Sequence, residues 1–263
     1  MCEYKYLGNY HTHTQWCNHG TVSADEAVRE AIESGMKVLG FSEHSPFPDD
    51  RFHRMKYAEL NNYTAYLNEL KIRYKNILDI RIGLEIEFFP KDIPYYYKLL
   101  NKYGIDYIIL GQHYFDFNGK IIKTKLIENT EMLINYAESI SEAMKTGFFS
   151  IAAHPDYCFS CDLPIDKHTD RAIQIILDTA EKYGTILEIN ANGFRKPEFQ
   201  SCIGLRRRYP FFNFWKSVAA QNIRYIVGSD AHHPGCINDH AVKEAFAFAK
   251  KLEIFPIENN IIR

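Results

Sequence analysis

Residues 223–230 read IRYIVGSD, an apolar run that ends in a glycine, a serine and an aspartate. A short apolar run between polar segments is typical of a strand that is buried in a parallel sheet. The chain contains six earlier runs of this kind, and a stretch with helical periodicity follows most of them. They lie at residues 6–10, 36–41, 79–88, 106–113, 148–154 and 185–190. This alternation predicts parallel strands that are joined by helices.

Two architectures accommodate seven strand–helix units in a chain of 263 residues, an open doubly wound sheet and a closed barrel. The uniform spacing of the units favours a TIM-like (β/α)7 barrel. No linker, charge block or internal repeat marks a boundary, so residues 1–263 are expected to form one α/β domain. Two local signals are clear: Ser23 and Glu26 have the capping-box pattern that begins a helix, and Asn118-Gly119 predicts a small hairpin.

The overall charge and the cysteine content exclude several classes of protein. The net charge is -2, from 31 basic and 33 acidic residues, so no general field would attract a nucleic acid or an anionic membrane. The sequence has no basic leader followed by an apolar core and no long apolar span. Six cysteines are too few for a disulfide framework. We therefore expect a soluble cytoplasmic protein with reduced thiols and no nucleic-acid or membrane partner.

Side chains that can bind metal ions follow nearly every predicted strand, and only the sixth strand ends in an amide, Asn190. In chain order they are His11, His13, Glu43, His44, Glu85, His113, His154, Asp230 and His232. In a barrel of this type the carboxyl ends of all strands meet at one mouth, where active sites are built. A single histidine is more often a surface or core residue, and His53, His168 and His240 are expected away from the site.

The spacing within the motifs also favours a metal site. In His11-Thr-His13 and Asp230-Ala-His232 an extended backbone turns residues i and i+2 to the same side. Imidazoles with a few carboxylates and no evident thiolate suit zinc, manganese or iron. Nine ligands are too many for one tetrahedral ion, so two or three ions that share a bridging carboxylate are expected.

Seven segments, taken in order, resemble the PHP (polymerase and histidinol phosphatase) superfamily, and specifically its histidinol-phosphatase branch. They are YHTHTQWCNHG (10–20), GFSEHSPFP (40–48), GLEIEFFP (83–90), ILGQHYF (109–115), AAHPDY (152–157), LEINANGFRKP (187–197) and GSDAHHP (228–234). One departure lies at Gln112 and its neighbours, because many members have Gly-Ser-X-His where this chain has Leu-Gly-Gln-His. Gln112 is therefore considered as a substrate contact.

The resemblance implies a distorted seven-stranded barrel with three divalent metal ions per chain. It implies one ion held by His11, His13, Glu85 and Asp230 and a second held by Glu85, His113 and His154. A third ion would be held by His19, His44 and His232.

The activity implied by the resemblance is that of a metal-dependent phosphomonoesterase of histidine biosynthesis. Such an enzyme hydrolyses L-histidinol phosphate to L-histidinol and phosphate by direct attack of a metal-bridging hydroxide, with Glu85 as the bridging carboxylate. The leaving alkoxide needs an acid near the metals, and Asp156 and His232 are the two candidates.

The substrate's phosphate should also meet a planar guanidinium, for which Arg195 is the best candidate. The run Arg206–Arg208 is interpreted as a solvated face, although a substrate role stays open. Histidinol carries an amine and an imidazole, so acidic and aromatic neighbours are expected on the loops. The candidates are Glu43, Asp49, Asp50, Phe47 and Phe115. The sequence does not fix the oligomeric state.

Two other functions are considered. A phosphodiesterase or exonuclease of the same superfamily would need a basic, aromatic-lined track for a nucleic-acid strand, and the nearly neutral charge counts against it. A non-catalytic metal-binding domain is the second alternative. Such domains usually lose ligands, whereas every expected ligand position is occupied in this chain.

Overall fold

The structure is a computed structural model that describes residues 5–257. Its centre is a sheet of seven strands whose spatial order follows the chain, and every neighbouring pair is parallel. The strands are β1 (Gly8–Asn9), β2 (Val38–His44), β3 (Asp79–Ile86), β4 (Tyr107–Leu110), β5 (Phe149–Ala152), β6 (Ile186–Asn190) and β7 (Tyr225–Gly228). Each strand overlaps one of the predicted runs, so the expected seven-stranded α/β architecture is confirmed.

The sheet is joined into a distorted barrel just beyond the carboxyl ends of β1 and β7. Thr12 forms a parallel bridge with Ala231, and the His13 backbone N–H donates to the Ala231 carbonyl at 2.8 Å. The Asp230 N–H donates to the His11 carbonyl at 2.9 Å. Because β1 has only two residues, these bonds make the closure. Closure therefore occurs at the two motifs that the sequence suggests as metal ligands.

Seven α-helices surround the sheet. They are α1 (Ala24–Glu33), α2 (Leu60–Tyr74), α3 (Ile93–Lys102), α4 (Glu131–Lys145), α5 (Lys167–Tyr183), α6 (Phe212–Ala219) and α7 (His240–Lys251). The predicted capping box is confirmed, because Ser23 Oγ accepts from the Glu26 N–H while the Glu26 carboxylate accepts from the Ser23 N–H. Within residues 5–257, no helix is both long and apolar enough to cross a bilayer.

Two hairpins extend from the barrel. The first joins Tyr114–Phe117 to Lys120–Lys123, as predicted, and its turn residues Asn118 and Gly119 have φ of 53° and 79°. The second joins Phe199–Ser201 to Gly204–Arg206 and was not predicted.

The lower interior of the barrel is filled, so the mouth is the open end. The buried side chains that fill this lower interior include Ile109, Ile151 and Ile226. The hydroxyl of Tyr107 lies among them and donates to the Tyr10 carbonyl at 2.7 Å. A Cβ at Gly83 would collide with the Tyr107 ring, so glycine is required there for close packing.

Candidate metal centre

The carboxyl ends of the strands open into one cavity of about 450 Å3. The structure brings all nine residues that the family resemblance implies as ligands to this place. Seven of them line the cavity: His19, His44, Glu85, His113, His154, Asp230 and His232. The other two, His11 and His13, are buried beside them and are each at most 1% exposed.

Glu85 lies at the centre of the cluster. Its Oε2 is 2.9 Å from His44 Nδ1 and 3.4 Å from His13 Nε2, while its Oε1 is 2.9 Å from His154 Nε2. A Cβ at Gly111 would collide with this carboxylate, so glycine lets the backbone at the end of β4 lie close to Glu85 in this chain. Glu85 is therefore placed so that its two oxygens face different imidazoles, as a bridging carboxylate requires.

Further groups of potential ligands surround Glu85, and within each group the ligand atoms lie within 4.8 Å of one another. One group combines His11 and His13 with Asp230, and His11 Nε2 is 3.0 Å from His13 Nε2. A second group combines His19, His44 and His232, the set that the resemblance implies for a third ion. His113 Nε2 lies 3.7 Å from Glu85 Oε1.

The hydrogen bonding of the cluster fits bound cations. Four buried atoms make no hydrogen bond of acceptable geometry to the described residues, although the first two lie 2.9 Å apart: Glu85 Oε2, His44 Nδ1, His13 Nδ1 and His154 Nδ1. A buried polar atom without a partner costs about 1–3 kcal/mol, so several in one place need an explanation. Electron pairs of imidazole and carboxylate atoms that converge on the same space form the donor set of a transition-metal site.

Electrostatics favour the protonation states that metal binding needs at several of the ligands, whereas at His11 and His113 the neighbouring carboxylates outweigh burial and raise the pKa of the imidazole. Burial lowers the pKa of His13 well below its ordinary value and lowers that of His44 to about 4. Burial opposes ionisation of Asp230 as well, but the neighbouring histidines outweigh it and lower the pKa of Asp230. Neutral imidazoles and ionised carboxylates are the forms that bind metal ions.

Backbone strain marks the site. His154 and Asp230 lie two residues beyond the ends of β5 and β7 and have φ of 32° and 47°, values that are unusual for residues other than glycine. Such conformations cost on the order of 1–3 kcal/mol and are concentrated at functional sites. The strain occurs where two of the suggested ligands turn into the cavity.

Glu188, in β6, is a candidate functional residue that sequence reasoning missed. Its Oε1 accepts from His11 Nδ1 at 2.7 Å, and its Oε2 accepts from the His154 backbone N–H at 3.0 Å. The side chain is fully buried, and a Cβ at Gly228 on the neighbouring strand would collide with it. A carboxylate on the far nitrogen fixes the tautomer and orientation of a metal-binding histidine. The sequence feature that could have identified Glu188 is a charged residue in the middle of an otherwise apolar strand.

Three residues expected to contact the substrate do not line the cavity. Glu43 is buried, and its Oε1 accepts from the Thr14 N–H at 2.8 Å. It precedes His44 in β2, so the two side chains point to opposite faces of the strand. Gln112 donates to Phe88 and Tyr114 carbonyls, so its side chain braces the loop. Phe115 is fully buried, and its ring packs edge-on against Tyr136 of α4 with the centroids 5.8 Å apart. These contacts do not support a substrate-binding role for the three residues, and Phe47 is likewise buried in the core.

Asp156 also lies outside the cavity lining, which does not support its suggested role as general acid. Its Oδ2 accepts from the Phe211 N–H at 2.6 Å and from Trp215 Nε1 at 3.0 Å. Burial raises its pKa to about 6, but its acceptor bonds hold the carboxyl toward α6. Asp156 therefore fastens the segment before α6 to the barrel.

Arg195 does line the cavity, but its guanidinium is already engaged. Its Nε and Nη2 donate to Asp239 at 2.8 and 3.1 Å, and its two Nη atoms also donate to the Ser229 and Cys236 carbonyls. The expected role of Arg195 as the phosphate clamp is not supported by these contacts. The run Arg206–Arg208 lies away from the cavity and donates to backbone carbonyls.

Other residues of the cavity wall come from loops, short turns and the first hairpin, and they were not predicted as site residues. They are His53, Arg54, Tyr114, Tyr157, Asn192, Lys196, Tyr209, His233 and Cys236. His53 was expected away from the site, and that expectation is wrong. Cys17 lies near His13 and His232, but its thiol donates to the Thr14 carbonyl and burial raises its pKa to about 12. It is therefore a neutral thiol that braces its own loop.

Comparison with known proteins was made by family, by sequence and by structure. The PHP domain profile matches residues 9–192. A Deinococcus radiodurans protein named "Probable histidinol-phosphatase" is 29% identical, with 87% of each chain covered. The Bacillus subtilis histidinol-phosphatase is 23% identical, with 86% of this chain and 93% of that protein covered.

Solved structures share the fold. The histidinol phosphate phosphatase of Lactococcus lactis, solved with zinc, L-histidinol and phosphate, superposes with a TM-score of 0.73. The two chains are 19% identical, and the match covers 96% of this chain and 95% of the other.

Proposed function

The chain belongs to the PHP domain family, and from this premise we propose that it is a metal-dependent phosphomonoesterase that hydrolyses L-histidinol phosphate to L-histidinol and phosphate. The observation that carries the proposal is the convergence of nine imidazole and carboxylate side chains on one cavity. The names of the relatives in Deinococcus radiodurans and Bacillus subtilis support the choice of substrate.

We propose zinc, manganese or iron as the metal and three ions per chain. The ligands would be His11, His13, His19, His44, Glu85, His113, His154, Asp230 and His232, and the three-residue groups described above support more than one site. Divalent ions bound by such residues lower the pKa of a bound water and neutralise charge on a phosphoryl group.

The chain's own residues would orient this centre. Glu188 accepts the proton of His11 Nδ1 and so leaves Nε2 as the electron-pair donor. His232 Nδ1 lies 3.1 Å from the Asp230 carbonyl, which leaves Nε2 as its ligand atom. A nitrogen that binds a metal cannot also hand over a proton, so we assign His232 to metal binding and not to acid catalysis.

The cavity wall suits a small substrate with an amine and an imidazole. Tyr114, Tyr157 and Tyr209 present aromatic rings there, and the only acidic lining residues within the described chain are Glu85 and Asp230. Because both of these belong to the metal cluster, the cationic end of histidinol would be recognised by tyrosine faces. This replaces the acidic contacts expected from the sequence.

The chain should show a marked preference for its substrate. We expect kcat/KM for L-histidinol phosphate to exceed that for p-nitrophenyl phosphate and for bis(p-nitrophenyl) phosphate by at least about a hundredfold, because binding energy from the histidinol end can be used in the transition state. Steady-state assays of phosphate or nitrophenol release would measure this. Equal efficiency across the three esters would contradict the assignment, and a preference for the diester would favour the phosphodiesterase alternative.

We further propose that residues 1–263 act as one cytoplasmic domain in histidine biosynthesis, with a small phosphate ester as the partner and no nucleic acid. The five cysteines within residues 5–257 are free thiols, which is compatible with a reducing compartment.

A further inference from the structure

Arg54 is a buried arginine on the loop that follows β2, and it lines the metal cavity with His44, Glu85 and His113. It is 6% exposed. Its Nη1 donates to Glu87 Oε2 at 2.8 Å and its Nη2 donates to Glu87 Oε1 at 2.9 Å, a two-pronged pair. A positive group is thus fixed at the edge of the cluster by a partner that is itself fully buried.

The hydrogen bonds of Arg54 leave one edge of the guanidinium available. An arginine has five N–H groups. The Nη1 atom donates to Glu87 and, at 3.3 Å, to the Ser45 carbonyl, and Nη2 uses one N–H for Glu87. The Nε atom is buried and finds no acceptor among the described residues. The Nε–H and the second Nη2–H lie side by side, which is the fork that binds two oxygens of one phosphate.

The other arginine of the cavity, Arg195, has no such edge. Its Nε and its Nη2 both donate to Asp239, and Nη2 donates to the Cys236 carbonyl as well. The two arginines therefore differ in the one feature that phosphate binding needs.

The loop that carries Arg54 is strained and firmly anchored. Asp50 and Phe52 have φ of 49° and 67°, in the left-handed region. The Phe52 ring stacks on Tyr114 with centroids 4.0 Å apart, and Asn18 Nδ2 donates to the Arg54 carbonyl. Strain that neighbouring contacts hold in place is a mark of functional segments.

We propose that Arg54 is a substrate-binding residue that holds the phosphoryl group through its Nε and Nη2 N–H groups, and that Glu87 is the positioning residue that fixes the guanidinium plane. The assignment rests on the proposed phosphatase function, because it names the group that recognises the phosphate at the same site. Arg54 takes the role that the sequence suggested for Arg195.

The test compares Arg54→Lys with the matched variant Arg195→Lys in the full-length, metal-loaded protein. Lysine keeps a positive charge opposite Glu87 but has no planar fork. We expect Arg54→Lys to weaken binding of inorganic phosphate, measured by isothermal titration calorimetry, by at least about tenfold, since bidentate pairing is lost. Metal content and Tm should stay at the wild-type values, and KM for L-histidinol phosphate should rise more than kcat falls. Arg195→Lys should change phosphate affinity less than about threefold, because no free fork is removed.

Unchanged phosphate affinity in folded, metal-loaded Arg54→Lys would overturn the proposal, as would an equal loss in both variants. If Arg54→Lys does not fold, the double variant Arg54→Met/Glu87→Met removes the buried pair together, a change that proteins often tolerate. The same loss of phosphate affinity is expected there, and wild-type affinity would again overturn the proposal. Phosphate titration does not depend on hydrolysis of histidinol phosphate, so a failure of the proposed function is seen separately as wild-type protein that binds phosphate without turnover.

Discussion

Glu85→Gln is expected to lower kcat/KM for L-histidinol phosphate by at least about a thousandfold, or ~4 kcal/mol of transition-state stabilisation. The carboxylate faces five histidines: His11, His13, His44, His113 and His154. Glutamine keeps the size of the side chain but removes the negative charge that would bridge two cations, so bound metal should be lost together with activity.

The matched control is Asp156→Asn, which also neutralises a buried carboxyl near the cluster. Its bonds from the Phe211 N–H and Trp215 Nε1 need only an acceptor oxygen, which asparagine supplies. We expect this variant to keep its metal and to lose less than about tenfold in kcat/KM, since no transition-state contact is removed. Elemental analysis and steady-state kinetics on both proteins give the answer. Metal content and turnover at the wild-type level in Glu85→Gln would refute the bridging role.

Glu188→Gln is expected to weaken metal binding by about 10–100-fold, the usual cost of losing a partner of a metal-binding histidine. Glutamine can accept from His11 Nδ1 with one atom only, while the other atom becomes a donor toward the His154 N–H, which is itself a donor. His11 would therefore lose its fixed orientation.

Gly228→Ala should produce the same effect by a different route, because the new Cβ would displace the Glu188 carboxylate. Competition with a chelator of known affinity measures metal binding in both variants without relying on activity. If both bind metal as tightly as wild type, Glu188 only fills space in the barrel.

The regular part of the fold was predictable because its signals are local. Runs rich in valine and isoleucine mark the central strands, and Asn118-Gly119 marks the first hairpin with two residues that accept positive φ. The second hairpin escaped prediction because its turn, around Cys202 and Ile203, contains residues with no such preference. Strand β1 was weak in sequence because closure of the barrel depends on contacts of residues 11–13 with residues 230–231, which are distant in the chain.

The suggested ligands could be predicted from the sequence because they lie at the carboxyl ends of strands, which the barrel brings together at one mouth. The residues that would contact the substrate could not be predicted in this way. Arg54 and His53 reach the cavity only because Asp50 and Phe52 adopt left-handed conformations, a property of the folded loop. Arg195 follows a strand as expected, but whether its guanidinium was free depended on Asp239, 44 residues away. The direction of a side chain in a loop depends on tertiary contacts, which the spacing of residues in the sequence does not predict.

Metal titration of chelator-stripped protein tests the central claim most directly, with L-histidinol phosphate hydrolysis and bound metal followed together. The cluster of ligands around Glu85 predicts that activity is lost on stripping and returns only as more than one equivalent of zinc, manganese or iron per chain is bound. Hydrolysis that survives in metal-free protein, or that is complete at one equivalent or less, would contradict the multinuclear centre.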